Sequence, residues 1–464
     1  MSRGKQLGFW MCLALVMGNM IGSGVFLLPA SLAPYGLDSV LGWVLTAAGS
    51  LLMAAVFSTL SRRVPQAQGP YAYTRMAFGE LPGFVVAWGY WVSLVIGNAA
   101  IATMAVSYLS NLFPAIASST ALAATVTLGF VWAFIALNVR GARETGGLQI
   151  VTTALKLLPL LAVIALGVWL LLQGDARLQP GRILAHEYRL EGVTAAATLT
   201  LWAFLGLESA SVAGERVADP ERNIPRATLW GTAITAVVYI SVCTLILLLV
   251  PSDTLAASNA PFAEVIGRFW GESSGHWLAA FAAISGLGAL SGWILLQGEL
   301  PYQMAKAGVF PAAFGRLSAH GTPAFGLVVS GVLLSVVVLT NYGKSMVQIF
   351  NFLILISTTA TLVMYLGCAL GALVLHHRGV LRLGGRLPLL LPIAVLAALY
   401  VLWALAGAGR DAVQWGFFLL SLAVPLFFLR RGRRLAALAS LPLVLAVPLL
   451  NFAHELYILS LFTP

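Results

Sequence analysis

Of the 464 residues, 60% are hydrophobic and 9% are charged, with a mean hydropathy of +0.92. A water-facing fold carries roughly 25% charged residues, so this composition excludes a soluble enzyme, a disordered chain and, with only Cys12, Cys243 and Cys368, a disulfide-built secreted scaffold. The formal net charge of +10 does not point to nucleic acid, because it is mostly arginine in short clusters between apolar runs, the pattern of membrane-protein loops.

Apolar windows of about 20 residues predict twelve spans, near residues 8–33, 39–61, 82–112, 120–138, 147–172, 194–213, 227–250, 274–298, 323–341, 348–375, 387–407 and 412–429. They are numbered 1 to 12 below. Span 1 is too long and too near Met1 for a cleaved signal peptide. A thirteenth apolar stretch, 435–462, carries Pro442, Pro448, His454 and Glu455 and either spans or lies at the interface. The longest loops, 173–193 and 251–273, are too short for a soluble domain. Residues 1–430 therefore read as one membrane domain, and 431–464 as a basic cluster with an apolar extension. With the N-terminus inside, nineteen Lys and Arg fall in inner loops and six in outer ones, a bias that supports the span count and a cytoplasmic N-terminus together.

Polar residues at membrane depth are the informative ones. Span 1 holds Gly18-Asn19 and Gly22-Ser23-Gly24. Glycine-rich backbone there permits a helix break whose freed N–H groups can hold a carboxylate; close helix packing through small residues is the plainer alternative. Span 5 carries Lys156. Span 6 reads Leu201-Trp202-Ala203-Phe204-Leu205-Gly206-Leu207-Glu208-Ser209-Ala210, a glycine and a glutamate beside two aromatics. Lys156 and Glu208 are the two ionisable groups well inside the spans. The first span of each five-span half (about 8–172 and 194–375) is thus interrupted, which points to an all-α inverted-repeat transporter with a central site between broken helices. The helices of 387–429 are additional.

Other patterns carry less. Gly271-Glu272-Ser273-Ser274-Gly275 fits a nucleophile elbow, but that motif needs a strand–turn–helix setting and here precedes span 8. His376-His377 lies beside Arg378 at a span end and reads as a charge cluster. No zinc spacing or phosphate loop occurs, so no cofactor or metal is implied. A membrane enzyme would gather ionisable residues near one interface, and a channel would show polar stripes on several spans.

The chain resembles the amino acid–polyamine–organocation transporters, and most of all their bacterial basic amino acid/polyamine antiporters. The resemblance covers about residues 8–430. It is carried by Gly18-Asn19-Met20-Ile21-Gly22-Ser23-Gly24-Val25-Phe26 with Leu28-Pro29, Gly69-Pro70-Tyr71-Ala72-Tyr73, the span-6 motif, Asn223-Ile224-Pro225 and Gly292-Trp293. It implies a five-plus-five inverted repeat (LeuT-like) with two further helices, alternating access, and a site formed by spans 1, 3, 6, 8 and 10. It implies substrate contacts at Asn19, Ile21, Ser23 and Gly24 of the span-1 break, at Asn98, at Trp202 stacking on the substrate, at Leu205, at Trp293 and at Ser357. Gating roles fall on Tyr90, Trp202, Glu208, Trp293 and Tyr365. For Asn98 an interhelical hydrogen bond is an equal alternative, and packing remains the plain reading of each aromatic.

Lys156 departs from the basic-substrate antiporters. It looks like the span-5 lysine of sodium-independent amino acid transporters of the same superfamily, where the ammonium occupies the position of a sodium ion. Lys156 and Glu208 are thus candidate proton carriers, or Lys156 a fixed stand-in for the cation. The expected partners are a small amino acid or amine substrate and the lipid bilayer, with a homodimer open and no nucleic acid. The expected function is sodium-independent exchange of arginine for its decarboxylated amine or another amino acid, with a neutral amino acid exchanger or a proton-coupled symporter as the alternative, in a bacterial inner membrane.

Overall fold

The computed structural model describes residues 8–22, 24–64, 69–141, 145–175, 177–178, 181–212, 217–341, 343–381 and 389–446. Among them, ten helices are long and apolar enough to cross a membrane, and Lys156–Leu172 and Ala324–Thr340 are two shorter apolar helices. All twelve predicted spans fall on these helices. A bilayer leaves no water for backbone N–H and C=O groups, so chain crossing it must satisfy them within helices.

Several elements run past their predicted ends. Span 3 is Glu80–Leu112 and span 8 is Glu272–Lys306, continuing through Pro301. Short helices Gly69–Phe78 and Pro261–Trp270, ten residues each, precede them and are too short to cross a bilayer. Span 12 is two helices, Arg410–Ser421 and Ala423–Arg430. Gly271, at φ 91°, turns the chain between Pro261–Trp270 and span 8. The suspected nucleophile pattern is therefore a helix–turn–helix, not a strand elbow. Gly275 there lets the two helices close: a Cβ on it would sit 2.8 Å from the Ala263 carbonyl oxygen. Of the 435–462 stretch, a helix Arg434–Ala439 opens the described part, and 447–464 lie outside the described residues.

The packing repeats when each span n is exchanged for n + 5. Span 2 packs on 7, 3 on 8 and 4 on 9; span 3 packs on 10 as 8 packs on 5; the first half of 6 packs on 2 as the first half of 1 packs on 7. At each of the last two crossings the receiving helix offers a glycine. A Cβ on Gly42 of span 2 would lie 2.8 Å from Ala196, and one on Gly231 of span 7 would lie 2.8 Å from Val16. Small residues let membrane helices approach this closely. Span 3 is 89% buried over its apolar window whereas span 4 is 22% buried, so the former runs through the core and the latter lines the rim. Leu172, Val237 and Trp230 point outward at 81%, 66% and 61% exposure, as lipid-facing side chains do.

Asp38, buried at the start of span 2, ties down the connection between spans 5 and 6. Its carboxylate bonds His186 Nε2 at 2.8 Å and accepts the Arg189 N–H at 3.1 Å.

Candidate functional site

Span 1 is two helices, Phe9–Met20 and Gly24–Leu32. The break has a specific cause. Gly22 N–H donates to Met20 O at 2.7 Å instead of continuing the ladder to Gly18 O. The freed Gly18 carbonyl accepts from Lys156 Nζ at 2.6 Å, and Met20 O also accepts from Tyr239 OH at 2.6 Å. An ammonium at the C-terminal end of a half-helix meets both the unsatisfied carbonyls and the negative end of the helix dipole. Lys156 is 1% exposed.

Span 6 breaks opposite. Leu190–Leu201 ends in a tight turn at Trp202–Phe204, Leu205 is extended, and a short helix, Ser209–Val212, resumes. Gly206, at φ 107°, lies in the region that side chains avoid. It faces the other break directly: a Cβ there would meet Asn19 C and Cβ at 3.2 Å. Gly206→Ala is therefore expected to destabilise the fold by about 1–3 kcal/mol, seen as a lower melting temperature in detergent. Gly22→Ala should lower it less, because its added methyl meets Ala289 at an ordinary 3.6 Å.

Between the breaks lies a cavity lined by residues of spans 1, 3, 6, 8 and 10. Trp202 crosses it between two glycines. A Cβ on Gly24 would meet Trp202 Cδ1 at 3.0 Å, and one on Gly97 of span 3 would meet Trp202 Cη2 at 2.9 Å and Ser357 Oγ at 3.3 Å. The indole thus reaches from the span-1 break to the wall made by spans 3 and 10. Glu208 lines the cavity on the side of the second half-helix of span 6. It is 1% exposed. Its Oε1 accepts from Tyr90 OH at 3.0 Å, and its Oε2 from Tyr365 OH at 2.8 Å and Gly206 N–H at 3.2 Å. One carboxylate so joins spans 3, 6 and 10.

About one turn from Tyr90 and Tyr365, spans 3 and 10 carry a hydroxyl chain. Ser357 Oγ donates to Ser93 O at 2.8 Å and Thr361 Oγ1 to Ser357 O at 3.1 Å. The Ser93 Oγ lies 2.6 Å from Thr361 Oγ1 and 3.0 Å from Ser357 Oγ. Either hydroxyl of each of these two pairs can be the donor, so the trio forms a polar strip on spans 3 and 10 whose oxygens border the cavity.

Of the residues singled out in the sequence, Asn19, Gly24, Tyr90, Asn98, Trp202, Leu205, Glu208, Trp293 and Ser357 line this one cavity. Tyr365 stands behind Glu208. Lys156 stands behind the span-1 break. Ile21 is part of the break, but its N–H closes the first half-helix on Met17 O at 2.7 Å and its side chain is packed at 1% exposure, away from the lining. Ser23 lies outside the described residues. The lining also includes Ser93, Gly97 and Thr361, which the sequence did not single out.

The family described as amino acid permease matches residues 7–428. The chain belongs to that family. A Bacillus subtilis (strain 168) relative named for arginine/ornithine antiport is 34% identical over 82% of this chain and 86% of its own. The putrescine transporter PotE of Haemophilus influenzae is 31% identical over 89% and 94%, and the cadaverine/lysine antiporter of Escherichia coli K12 30% identical over 93% and 96%. In fold, this permease resembles the solved structure of MHP1, a nucleobase-cation-symport-1 family transporter, in a closed conformation with bromovinylhydantoin bound. The TM-score is 0.55 at 15% identity, covering 97% of this chain and 94% of that one. The permease is thus an integral membrane transporter with the five-plus-five inverted-repeat core and two further helices.

Proposed function

We propose that this permease is a sodium-independent exchanger that carries a basic amino acid such as arginine against its decarboxylated amine or another amino acid, by alternating access around the central cavity. One observation carries the reading: among the described lining residues Glu208 is the only Asp, Glu, Lys, Arg or His, while the Lys156 Nζ is turned onto the Gly18 carbonyl and is not in the lining. The cavity therefore offers a cation the Glu208 carboxyl, the hydroxyl oxygens of Ser93 and Ser357, and the face of Trp202. A guanidinium or ammonium over an indole gains on the order of 1–2 kcal/mol when desolvated. The start of Gly24–Leu32 presents helix N–H groups suited to the substrate carboxylate. The basic substrates in the relatives' names agree with this polarity.

The roles proposed for the site follow. Trp202 stacks on the substrate and takes part in gating; Asn19, Gly24, Asn98, Leu205, Trp293 and Ser357 contact it; and Tyr90, Glu208 and Tyr365 form one gate, with Trp293 as a distal one. Lys156 stands in for a coupling cation. Residues 1–430 form the transport unit, in a bacterial inner membrane with a cytoplasmic N-terminus, supported by the arginine bias and the bacterial relatives. The second reading, a neutral amino acid exchanger or proton-coupled symporter led by Lys156, is favoured by the contact of Nζ with the span-1 break.

The test is uptake of labelled arginine into sodium-free proteoliposomes preloaded with arginine, agmatine, putrescine, alanine or nothing. Uptake driven by internal arginine or agmatine, and unchanged when sodium is added, is the expected result. Silence with arginine while labelled alanine moves overturns the basic-substrate reading. A requirement for a sodium gradient overturns the role of Lys156.

A further inference from the structure

We propose that the arginine turn after span 12 is a binding site for the phosphodiester headgroup of an anionic phospholipid. Arg430, Arg431, Arg433 and Arg434 stand within five residues, and all four are exposed. Helix Ala423–Arg430 ends and helix Arg434–Ala439 begins three residues later, and the two pack on each other. Gly432, at φ 70°, makes the turn. Its N–H closes on Leu429 O at 3.1 Å, and the Arg433 N–H on Phe428 O at 3.0 Å, a glycine-capped helix end. Apolar side chains flank the turn on both limbs: Leu429 is 52% exposed, Leu435 84% and Leu438 60%, whereas Ala423, Pro425 and Ala437 are buried. Leucines exposed to that degree lie in hydrocarbon. The guanidiniums between them therefore sit where hydrocarbon ends and headgroups begin, the layer to which long basic side chains reach.

The protein does not neutralise this charge itself. Arg75, in the last turn of helix Gly69–Phe78, and Glu80, at the start of span 3, adjoin the turn. Arg75 Nε donates to Glu80 Oε1 at 2.6 Å, and Arg431 Nη2 lies 3.9 Å from Glu80 Oε2. Arg431 is also held over the Phe427 ring at 4.6 Å. That one carboxylate is taken by Arg75 and Arg431, and Arg430, Arg433 and Arg434 have no acidic partner among the described residues. The bias of basic residues to one membrane face accounts for arginines here. It does not call for four in five residues, three of them unpaired, on a turn between two lipid-facing limbs. A guanidinium carries its donors in a planar fork that matches two phosphate oxygens. The molecule that brings such oxygens, with net negative charge, to this depth is an anionic phospholipid; a zwitterionic one cancels the charge with its own ammonium. A Cβ on Gly308 would lie 3.7 Å from Arg430 Nη2, so the turn borders the loop after span 8 as well as the start of span 3. A headgroup held there joins the ends of three spans. Binding at this turn is independent of which substrate is carried.

The experiment measures binding of a fluorescently labelled phosphatidylglycerol to the purified full-length protein in detergent, with unlabelled phosphatidylglycerol, phosphatidylcholine or inorganic phosphate as competitor. Phosphatidylglycerol is expected to compete at least tenfold better than phosphatidylcholine, and its advantage to shrink as salt is added. The variant carrying Arg430→Gln, Arg433→Gln and Arg434→Gln leaves the Arg75–Glu80–Arg431 group in place. Each arginine near an anionic surface is worth about fivefold, so this variant should lose at least tenfold for phosphatidylglycerol and nothing for phosphatidylcholine. Should it not yield monodisperse protein, Arg433→Gln and Arg434→Gln singly are each expected to lose about fivefold. Equal competition by the two lipids in wild type overturns the proposal. Undiminished phosphatidylglycerol binding in the triple variant, or in both single ones, places the lipid elsewhere and overturns it too. Displacement by inorganic phosphate as effective as by unlabelled phosphatidylglycerol makes the turn a site for a soluble anion and overturns the lipid assignment.

Discussion

Glu208→Gln is expected to weaken arginine binding at least tenfold while the purified protein stays folded. The carboxylate takes three donors, from Tyr90, Tyr365 and Gly206. Glutamine keeps the shape and one acceptor oxygen, and a tyrosine hydroxyl that meets the new NH₂ group can turn to accept from it. The hydrogen-bonded clamp is thus largely retained and the charge is lost. At an effective dielectric of about 20, a unit charge several ångströms from a cation is worth roughly 2–4 kcal/mol, well above the 1.4 kcal/mol of a tenfold change. Glu208→Ala is a different experiment. It strands two buried hydroxyls, each at a cost of about 1–3 kcal/mol, and should lower the melting temperature as well. Tyr365→Phe removes one bond of the clamp and leaves the charge, so it should change the maximal exchange rate more than the affinity. The check is competition binding alongside exchange kinetics for all three variants. A glutamine variant that binds arginine normally but does not exchange it would confine Glu208 to the gate.

Trp202→Leu is expected to weaken binding of a cationic substrate roughly 5- to 30-fold, the cation–π contribution of a desolvated indole face. Trp202→Tyr keeps an aromatic face and should retain much of the affinity. Leucine keeps apolar contact, so competition by a neutral amino acid of similar length should change much less. The ratio of the two affinities is therefore the informative quantity. A companion variant tests the geometry without touching the indole. Gly97→Ala places a methyl 2.9 Å from Trp202 Cη2 and 3.3 Å from Ser357 Oγ. The ring has Gly24 against its other end, so it has little room to retreat. Gly97→Ala should displace Trp202 and weaken arginine binding in the same direction. Equal losses for the cationic and neutral ligands in Trp202→Leu would argue that the indole only packs.

The broad architecture was legible because lipid imposes a simple length rule, and twelve apolar windows satisfied it. The two breaks were legible for a related reason. Glycines beside Asn19 and Glu208, at a depth where backbone must otherwise be helical, stand out against the surrounding leucine and alanine. Lys156 stood out in the same way, and its partner, the Gly18 carbonyl, is one that the break itself sets free. Ser93 and Thr361 were not legible. They are single uncharged polar residues in helices of 33 and 32 residues, apolar on most sides, where sequence alone does not show which direction leads to a cavity. Ile21 shows the limit of a motif's resolution: a motif marks a neighbourhood, and the Ile21 side chain is packed at 1% exposure outside the lining residues. The short helices before spans 3 and 8 escaped notice because, at ten residues each, they are half the length of the apolar windows that mark spans.

The contact between Lys156 and Gly18 has a thermodynamic consequence for the proposed exchanger. A dissolved cation bound at that carbonyl would arrive and leave with each cycle, and its gradient could do work on the substrate. An ammonium fixed to the chain binds once, as the protein folds, and the free energy of that binding belongs to the stability of the native state. On that proposal, no dissolved cation's gradient acts on the cycle through this position. The steady accumulation of one substrate is bounded by the opposing concentration ratio of the other, and, where the two differ in charge, by the membrane voltage.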